Sequence, residues 1–490
     1  MILTVNIGNT HITVGGYEQD TLIFCGRLHS DPAATVEEYA IRLVNLLQLY
    51  GASPAQIEGG ILGSVVPMLS GRVLAALQLL CKARILTVGP GLKSGIKLRL
   101  DNPAQLGAEL LCGAVAALAE CPGPLVVISA DTAISLMAVN AKQELVGGVI
   151  LPGPQLSMNA LVQKTAQLPQ IDPAARAPES VLGKSTSACL QNGFVLGTAS
   201  LLDGLADRFC ADLMKALTGH GDFFLSTLAF VKNSGKNKRD VWITKPTGRN
   251  LRKITDIPGI AMSPSWSLDG RFIVFSHMDD KSHALGVWDR LTNRVQRIRF
   301  PGNTVIGPTF TPGNKVAVSL STGKNPDIFM LNHAFQKERT LEANGTINVS
   351  PTFDAAGTKM AFTSNRMGGP QIFMKDLASG SVSRVTKQGN YNTEPSMSPD
   401  GTLIAFSRLT SEGNRIFVQD LTTGTEQQIS FGPGNDVLPS FAPDSYFIAF
   451  TSNRSGPNQI YLTTRHGGDA KKVPTGSGDA SFPRWGAIPR

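Results

Sequence analysis

Pro395-Ser-Met-Ser-Pro-Asp-Gly-Thr-Leu403-Ile-Ala-Phe-Ser407 is a phrase the chain repeats. Pro264-Ser-Trp-Ser-Leu-Asp-Gly leads to Phe272-Ile-Val-Phe-Ser, and Pro439-Ser-Phe-Ala-Pro-Asp-Ser leads to Phe447-Ile-Ala-Phe-Thr. The phase-setting prolines are Pro264, Pro308, Pro351, Pro395, Pro439 and Pro483, at intervals of 44, 43, 44, 44 and 44 residues. Each unit reads as a short strand, a Pro-Asp-Gly turn and a β-rich strand. Another strand follows (Gln371-Ile-Phe-Met, Arg415-Ile-Phe-Val, Gln459-Ile-Tyr-Leu), then a Gly-containing turn and a last strand. Four strands per 44 residues define a propeller blade. Five intervals give five blades. Leu228-Ala-Phe-Val, Val241-Trp-Ile-Thr and Leu251-Arg-Lys-Ile supply three strands of a sixth, and Ser481–Gly486 supplies its innermost strand. The expected architecture over 224–490 is therefore an all-β six-bladed β-propeller closed by its own C-terminal strand, with no seam left unpaired.

The preceding 223 residues differ in kind. They carry 14 basic against 17 acidic residues, whereas 224–490 carry 31 against 20, and all six cysteines lie before Asp212. Two domains, 1–223 and 224–490, follow from this contrast. The cysteines lack CxxC spacing, so zinc and a disulfide framework are not indicated. They are expected to be reduced and mostly buried. With 42% apolar and 17% charged residues, a large core is available. No run of 18 apolar residues predicts a membrane span. The start, Met1-Ile-Leu-Thr-Val-Asn6, lacks a basic segment before an apolar core, so a cytoplasmic location is expected. The basic residues of the second half are spread over the blades, which argues against nucleic acid. His277, His283, His333 and His466 lack metal-ligand spacing and read as surface-loop residues. Ser364-Asn-Arg366 and Ser452-Asn-Arg454 read as a repeated turn motif, with a ligand-facing pair as the alternative.

The propeller phrases, with Ala361-Phe-Thr-Ser-Asn-Arg366, Ala449-Phe-Thr-Ser-Asn-Arg454 and Phe482-Pro-Arg-Trp-Gly486, resemble the propeller of the TolB family over residues 226–486. That family is periplasmic, and the resemblance implies a protein-binding propeller with lipoprotein and colicin-type partners.

In the first half, Ile2–Val5 is an apolar strand. It is followed by Asn6-Ile-Gly8-Asn9-Thr10 and a second strand, an arrangement that gathers backbone N–H groups and a hydroxyl around phosphate. Further segments are Ser64-Val-Val-Pro67, Val88–Gly95, Asn102–Glu109 opening an Ala/Leu helix, Pro124–Ala133, Gly147–Gly153, and Gly183-Lys-Ser-Thr186 through Gly204. In this order they resemble type III pantothenate kinase over about residues 1–214. The resemblance implies an α/β actin-like (ribonuclease-H-like, ASKHA) domain, a homodimer, and phosphorylation of pantothenate by ATP with Mg²⁺ and a monovalent cation. It places ATP and phosphate contacts at Asn6, Gly8, Asn9, Thr10 and Thr132. Substrate contacts fall at Gly107, Ala108, Leu110 and Thr186, and a catalytic base at Glu109.

Several positions depart from the family pattern. Its Asp-x-Gly-Asn-Thr begins here with Asn6, its Gly-x-Asp-Arg is Gly107-Ala-Glu109-Leu110, and its Asp-x-Gly-Thr-Ala is Ser129-Ala-Asp131-Thr-Ala133. Asn6 and Ser129 thus occupy acidic positions, and Mg²⁺ favours charged oxygen ligands. Glu109 keeps the base function but carries an extra methylene that shifts it. The family's last strand and helix are expected to be missing, because Leu213–Asp222 runs straight into the propeller. Three readings follow: a degenerate kinase domain joined to a protein-binding propeller, an active kinase using Glu109, and a TolB-like interaction protein with an incidental N-terminal fusion.

Overall fold

The computed structural model describes all residues except 90–91, 173–180, 281, 301–303, 322–324 and 487–490. The middle of the expected Val88–Gly95 loop falls outside the described residues. The chain divides into two units, Met1–Phe209 and Cys210–Arg490. Among the described residues no helix is long and apolar enough to cross a membrane.

The first unit opens with β1 (Ile2–Ile7), β2 (His11–Glu18) and β3 (Thr21–His29), then α1 (Val36–Leu49), β4 (Gly59–Ser64), α2 (Pro67–Leu80) and β5 (Arg84–Thr87). The sheet order is β3-β2-β1-β4-β5, with β2 antiparallel and β4 parallel to β1. This is the ribonuclease-H-like arrangement. Strand alternation sorts β1: Leu3, Val5 and Ile7 are buried with α1 and α2, while Thr4 and Asn6 face the other side. A capping box starts α1: Thr35 Oγ1 accepts from the Glu38 N–H at 3.3 Å, and Glu38 Oε2 accepts from the Thr35 N–H at 2.7 Å.

The second half of this unit repeats the pattern incompletely. After β6 (Lys97–Leu98) and α3 (Ala108–Glu120) come β7 (Leu125–Ala130), β8 (Ala133–Val139), β9 (Glu144–Pro152), α4 (Pro154–Gln163) and α5 (Thr186–Thr218). The order is β6-β9-β8-β7. Where β1 has neighbours on both sides, β7 pairs only with β8 among the described residues. Among the described residues, the parallel strand that the first sheet sets beside β1 has no counterpart beside β7.

The second unit is a six-bladed propeller. Ala480–Trp485 pairs antiparallel with Leu228–Gly235, matching Leu228 to Trp485 and Val231 to Ser481, so the first blade takes its innermost strand from the C-terminal segment as expected. The other blades begin at Ile260, Thr304, Asn348, Asn392 and Asp436. The residue before each phase-setting proline is left-handed: Ser263, Gly307, Ser350, Glu394, Leu438 and Phe482 have φ between 50° and 58°. Five of the six are not glycine, and each such residue costs about 1–2 kcal/mol. The ladder shifts register at each site, which is a β-bulge. The hydroxyl following the proline then reaches the next blade: Ser265 Oγ accepts from Phe310 N–H, Thr352 Oγ1 from Met397 N–H and Ser396 Oγ from Phe441 N–H, at 3.1–3.3 Å. Phe223, at the expected domain junction, is buried against Ala442 and Phe447.

Three expectations are corrected. Cys25, Cys112, Cys121 and Cys189 are exposed and the other two intermediate, Cys81 and Cys121 standing at the C-terminal caps of α2 and α3; none is disulfide-bonded. His277 is not a loop residue. It lies within the strand Phe272–Met278, 1% exposed, with Nε2 2.8 Å from the Pro258 carbonyl, and burial lowers its pKa. The ligand-facing alternative for the Ser-Asn-Arg pair also fails. Arg366 lies between Phe362 and Phe373 and pairs with Glu342 at 2.8 Å, and Arg454 lies between Phe450 and Tyr461 on Asp436. Asn365 and Asn453 accept backbone N–H groups from the preceding loop. Arg366 thus ties its blade to the preceding one, and Arg454 ties two strands of a single blade.

Candidate functional site

A cleft of about 1280 Å³ opens in the first unit. Asn6, Gly8, Asn9 and Thr10 line it from the β1–β2 turn, Ser129, Asp131 and Thr132 from the β7–β8 turn, and Glu109 from the first turn of α3. Both turns are closed by short backbone bonds: Gly8 N–H to the His11 carbonyl at 2.9 Å, and Asp131 N–H to the Ala133 carbonyl at 3.1 Å. Ser30 Oγ donates to the Gly8 carbonyl at 2.7 Å and fixes the first turn from outside. Gly153 N–H donates to the Thr132 carbonyl at 2.9 Å, tying the second turn to the start of α4. A Cβ at Gly153 would lie 2.2 Å from the Asp131 carbonyl oxygen, so no side chain fits there. Pro154 and Gln155, at the N-terminus of α4, also line the cleft, and a helix N-terminus favours anions.

The expected phosphate residues and the expected base therefore share one cavity. The expected substrate residues are placed otherwise. Gly107 caps α3, Leu110 packs against the core between α3 and the second sheet, and Thr186 is exposed at the start of α5. Ala108 lines a separate cavity of about 590 Å³ with Val88, Leu92, Asn102 and Leu111. Asp131 stands in the turn just beyond the end of β7, and both it and Ser129 line the cleft.

Three residues absent from any local motif also line the cleft: His11, Thr13 and Arg27. The register explains their placement. Asn6 pairs with Thr13 and Thr13 with Arg27, so the three side chains form one row across β1, β2 and β3 on the face opposite the core. His11 and His29 are the next matched pair, with rings 6.5 Å apart.

The donors do not suit a divalent cation held by the family's acidic positions. Asn6 and Ser129 offer neutral oxygens, and among the described residues no three His, Cys, Asp or Glu side chains gather into a ligand set. The remaining acids of the cleft, Glu109, Asp131 and Asp172, come from different elements.

A ribonuclease-H-like domain with two glycine- or threonine-bearing turns facing one cleft, followed by a six-bladed propeller, defines a two-domain chain of actin-like and propeller classes. The chain belongs to the type III pantothenate kinase family, whose model matches residues 2–208, and to the TolB beta propeller domain family, whose model matches 214–486. It is 35% identical over 216 residues to the type III pantothenate kinase of Exiguobacterium sp., covering 44% of this chain and 84% of that protein. It is 38% identical over 218 residues to that of Rhodospirillum centenum, covering 44% and 81%. It is 78% identical over 162 residues to the Tol-Pal system protein TolB of Nitratidesulfovibrio vulgaris. That match covers 33% of this chain and spans 37% of the relative's length. In structure the chain is similar to TolB from Acinetobacter baumannii, with a TM-score of 0.56 at 19% identity, over 82% of this chain and 90% of that one. The chain is thus a fusion of a pantothenate kinase-like, actin-like domain with a TolB-type propeller.

Proposed function

We propose that the first domain binds ATP and pantothenate in the cleft but transfers phosphate poorly or not at all, and that the propeller binds a protein partner. The observation that carries this reading is the shared cleft itself. It keeps the neutral phosphate contacts Gly8, Asn9, Thr10 and Thr132, with Asn6 beside them, yet sets Asn6 and Ser129 where the family has carboxylates. Backbone and hydroxyl donors hold a phosphate. They do not organise a metal ion. Glu109 faces the cleft and would accept the proton of the pantothenate hydroxyl. An active kinase using Glu109 is the second reading, favoured by that placement. The homodimer of the kinase family is carried to this chain as part of the proposal.

A third reading, an interaction protein whose first domain is incidental, draws on the 78% identity to TolB against 35–38% to the kinases. The test is phosphopantothenate formation by the full chain with ATP, Mg²⁺ and pantothenate, beside calorimetric titration with ATP alone. Binding without turnover supports the first reading, turnover the second, and neither binding nor turnover the third.

A further inference from the structure

We propose that Arg27 supplies the positive charge for a polyphosphate in this cleft, in place of the metal ion that Asn6 and Ser129 cannot hold. The proposal rests on the nucleotide-binding reading of the cleft given above.

Four observations carry it. Arg27 lines the cleft with the phosphate turn, Asn6-Ile-Gly8-Asn9-Thr10. Its position follows from strand register: Arg27, Thr13 and Asn6 are matched across three strands, and side chains at matched positions share a face. Two inter-strand spacings, roughly 10 Å, separate the Arg27 and Asn6 backbones. An extended arginine leaning along that row therefore covers the outer end of a phosphate chain anchored at Gly8–Thr10. Third, the guanidinium is exposed and makes no hydrogen bond or ion pair with any described residue, although Asp31 in the following loop already holds Arg42. Fourth, the floor next to it is uncharged: Asn6 and Thr13 offer an amide and a hydroxyl, and Gly63, matched to Asn6 on β4, offers no side chain.

The row runs from cation through hydroxyl to amide, with no carboxylate to neutralise Arg27 from within its own sheet. The acids of the cleft, Glu109, Asp131 and Asp172, come from α3, the β7–β8 turn and the segment after α4. A polyphosphate suits this row better than a single carboxylate. Several anionic oxygens span the distance from the turn donors to a guanidinium that binds them as a fork.

Calorimetry on the full chain decides the matter, with ATP in EDTA, ATP with Mg²⁺, and pantothenate as three separate titrants. Wild type is expected to bind ATP in EDTA. Arg27→Met is expected to weaken that binding at least about tenfold, the scale of a charge-assisted hydrogen bond, and Arg27→Lys to retain part of it. Arg27 packs in no core, so both variants are expected to keep the wild-type melting profile, which is checked alongside. Equal ATP affinity in wild type and Arg27→Met overturns the role of Arg27 while leaving nucleotide binding intact. So does strict Mg²⁺ dependence of wild type, or a loss of pantothenate binding in place of ATP binding. Absence of ATP binding in wild type under both conditions overturns the nucleotide reading and this proposal with it.

Discussion

Arg454 Nη2 donates to both carboxylate oxygens of Asp436, each at 2.9 Å, beneath a Ser452 hydroxyl that accepts from Arg454 Nε at 3.0 Å. Asp436 has no exposed side-chain surface. The pair joins the first strand of the last blade to the turn after its second, and the arginine stem is covered by Phe450 and Tyr461. Removing the cation leaves a buried carboxylate uncompensated. Arg454→Met is expected to destabilise the propeller by about 3–5 kcal/mol. The double variant with Asp436→Leu is expected to recover much of the loss, because no charge is then stranded. Urea unfolding monitored by tryptophan fluorescence measures both.

Closure of the ring gives a second expectation. Ala480–Trp485 supplies the whole innermost strand of the first blade, and Trp485 packs against Phe223 with ring centroids 6.0 Å apart. Deleting residues 480–490 removes that ladder and the ring contact together. It also exposes the edge of Leu228–Gly235. The loss is expected to exceed the ~3–5 kcal/mol of deleting one large buried aromatic, and the truncated chain to self-associate through the freed edge. Thermal unfolding and light scattering compare the two chains. An unchanged midpoint would show that the ring does not depend on this strand.

How much of this is legible in the residues differs between the two halves. The propeller announces itself because turn and strand chemistry repeat locally every 44 residues, down to the unpartnered opener at Ser481. The left-handed residue before each proline is not legible, since Ser, Glu, Leu and Phe carry no common signal for φ > 0. Nor is the role of Arg366 and Arg454: their partners lie 24 and 18 residues upstream, Glu342 on the last strand of the preceding blade and Asp436 on the first strand of the same blade. In the kinase-like half, the phosphate turns are legible because each is one contiguous strand–turn–strand. Arg27 and Thr13 are not, because only the β1–β2 and β2–β3 registers bring them into one row with Asn6.

The propeller channel carries a pH dependence. Its cavity of about 50 Å³ is lined by the left-handed residues and Arg484. Glu394 Oε2 accepts from Leu438 N–H at 2.7 Å and from Ser407 Oγ at 2.9 Å. Burial nevertheless dominates and raises its pKa above the ordinary 4.5. A carboxyl whose folded pKa is raised contributes stability that is fully present below its unfolded value. That contribution is lost as pH rises through the folded one. Glu394→Gln, which stays neutral, is expected to be more stable than wild type at pH 7–8 and similar below pH 4, with the gap opening between. Denaturation midpoints across pH 4–8 give the comparison, and parallel curves would refute it.

The cleft's acidic positions and the one-sided pairing of β7 among the described residues make separable contributions. Asn6→Asp, Glu109→Asp, Leu110→Arg, Ser129→Asp and Asp131→Gly together restore the family's charged residues and remove the carboxylate from the second phosphate turn. Asp131→Gly alone is expected to strengthen ATP binding in EDTA, by withdrawing a negative charge from that turn. The full set is expected to add a Mg²⁺-dependent component to ATP binding. Turnover is another matter. In the first sheet β1 is held by β2 and β4, whereas β7, which carries residue 129, pairs among the described residues with β8 alone. A carboxylate on a strand paired on one side is positioned less firmly, and misplacement by about 1 Å costs on the order of 100-fold in rate. The five-fold variant is therefore expected to bind MgATP and still form phosphopantothenate near background. Calorimetry and a coupled product assay on the same preparation separate the two effects. Turnover at a rate ordinary for a kinase would show that the cleft is catalytically complete without a second neighbour for β7.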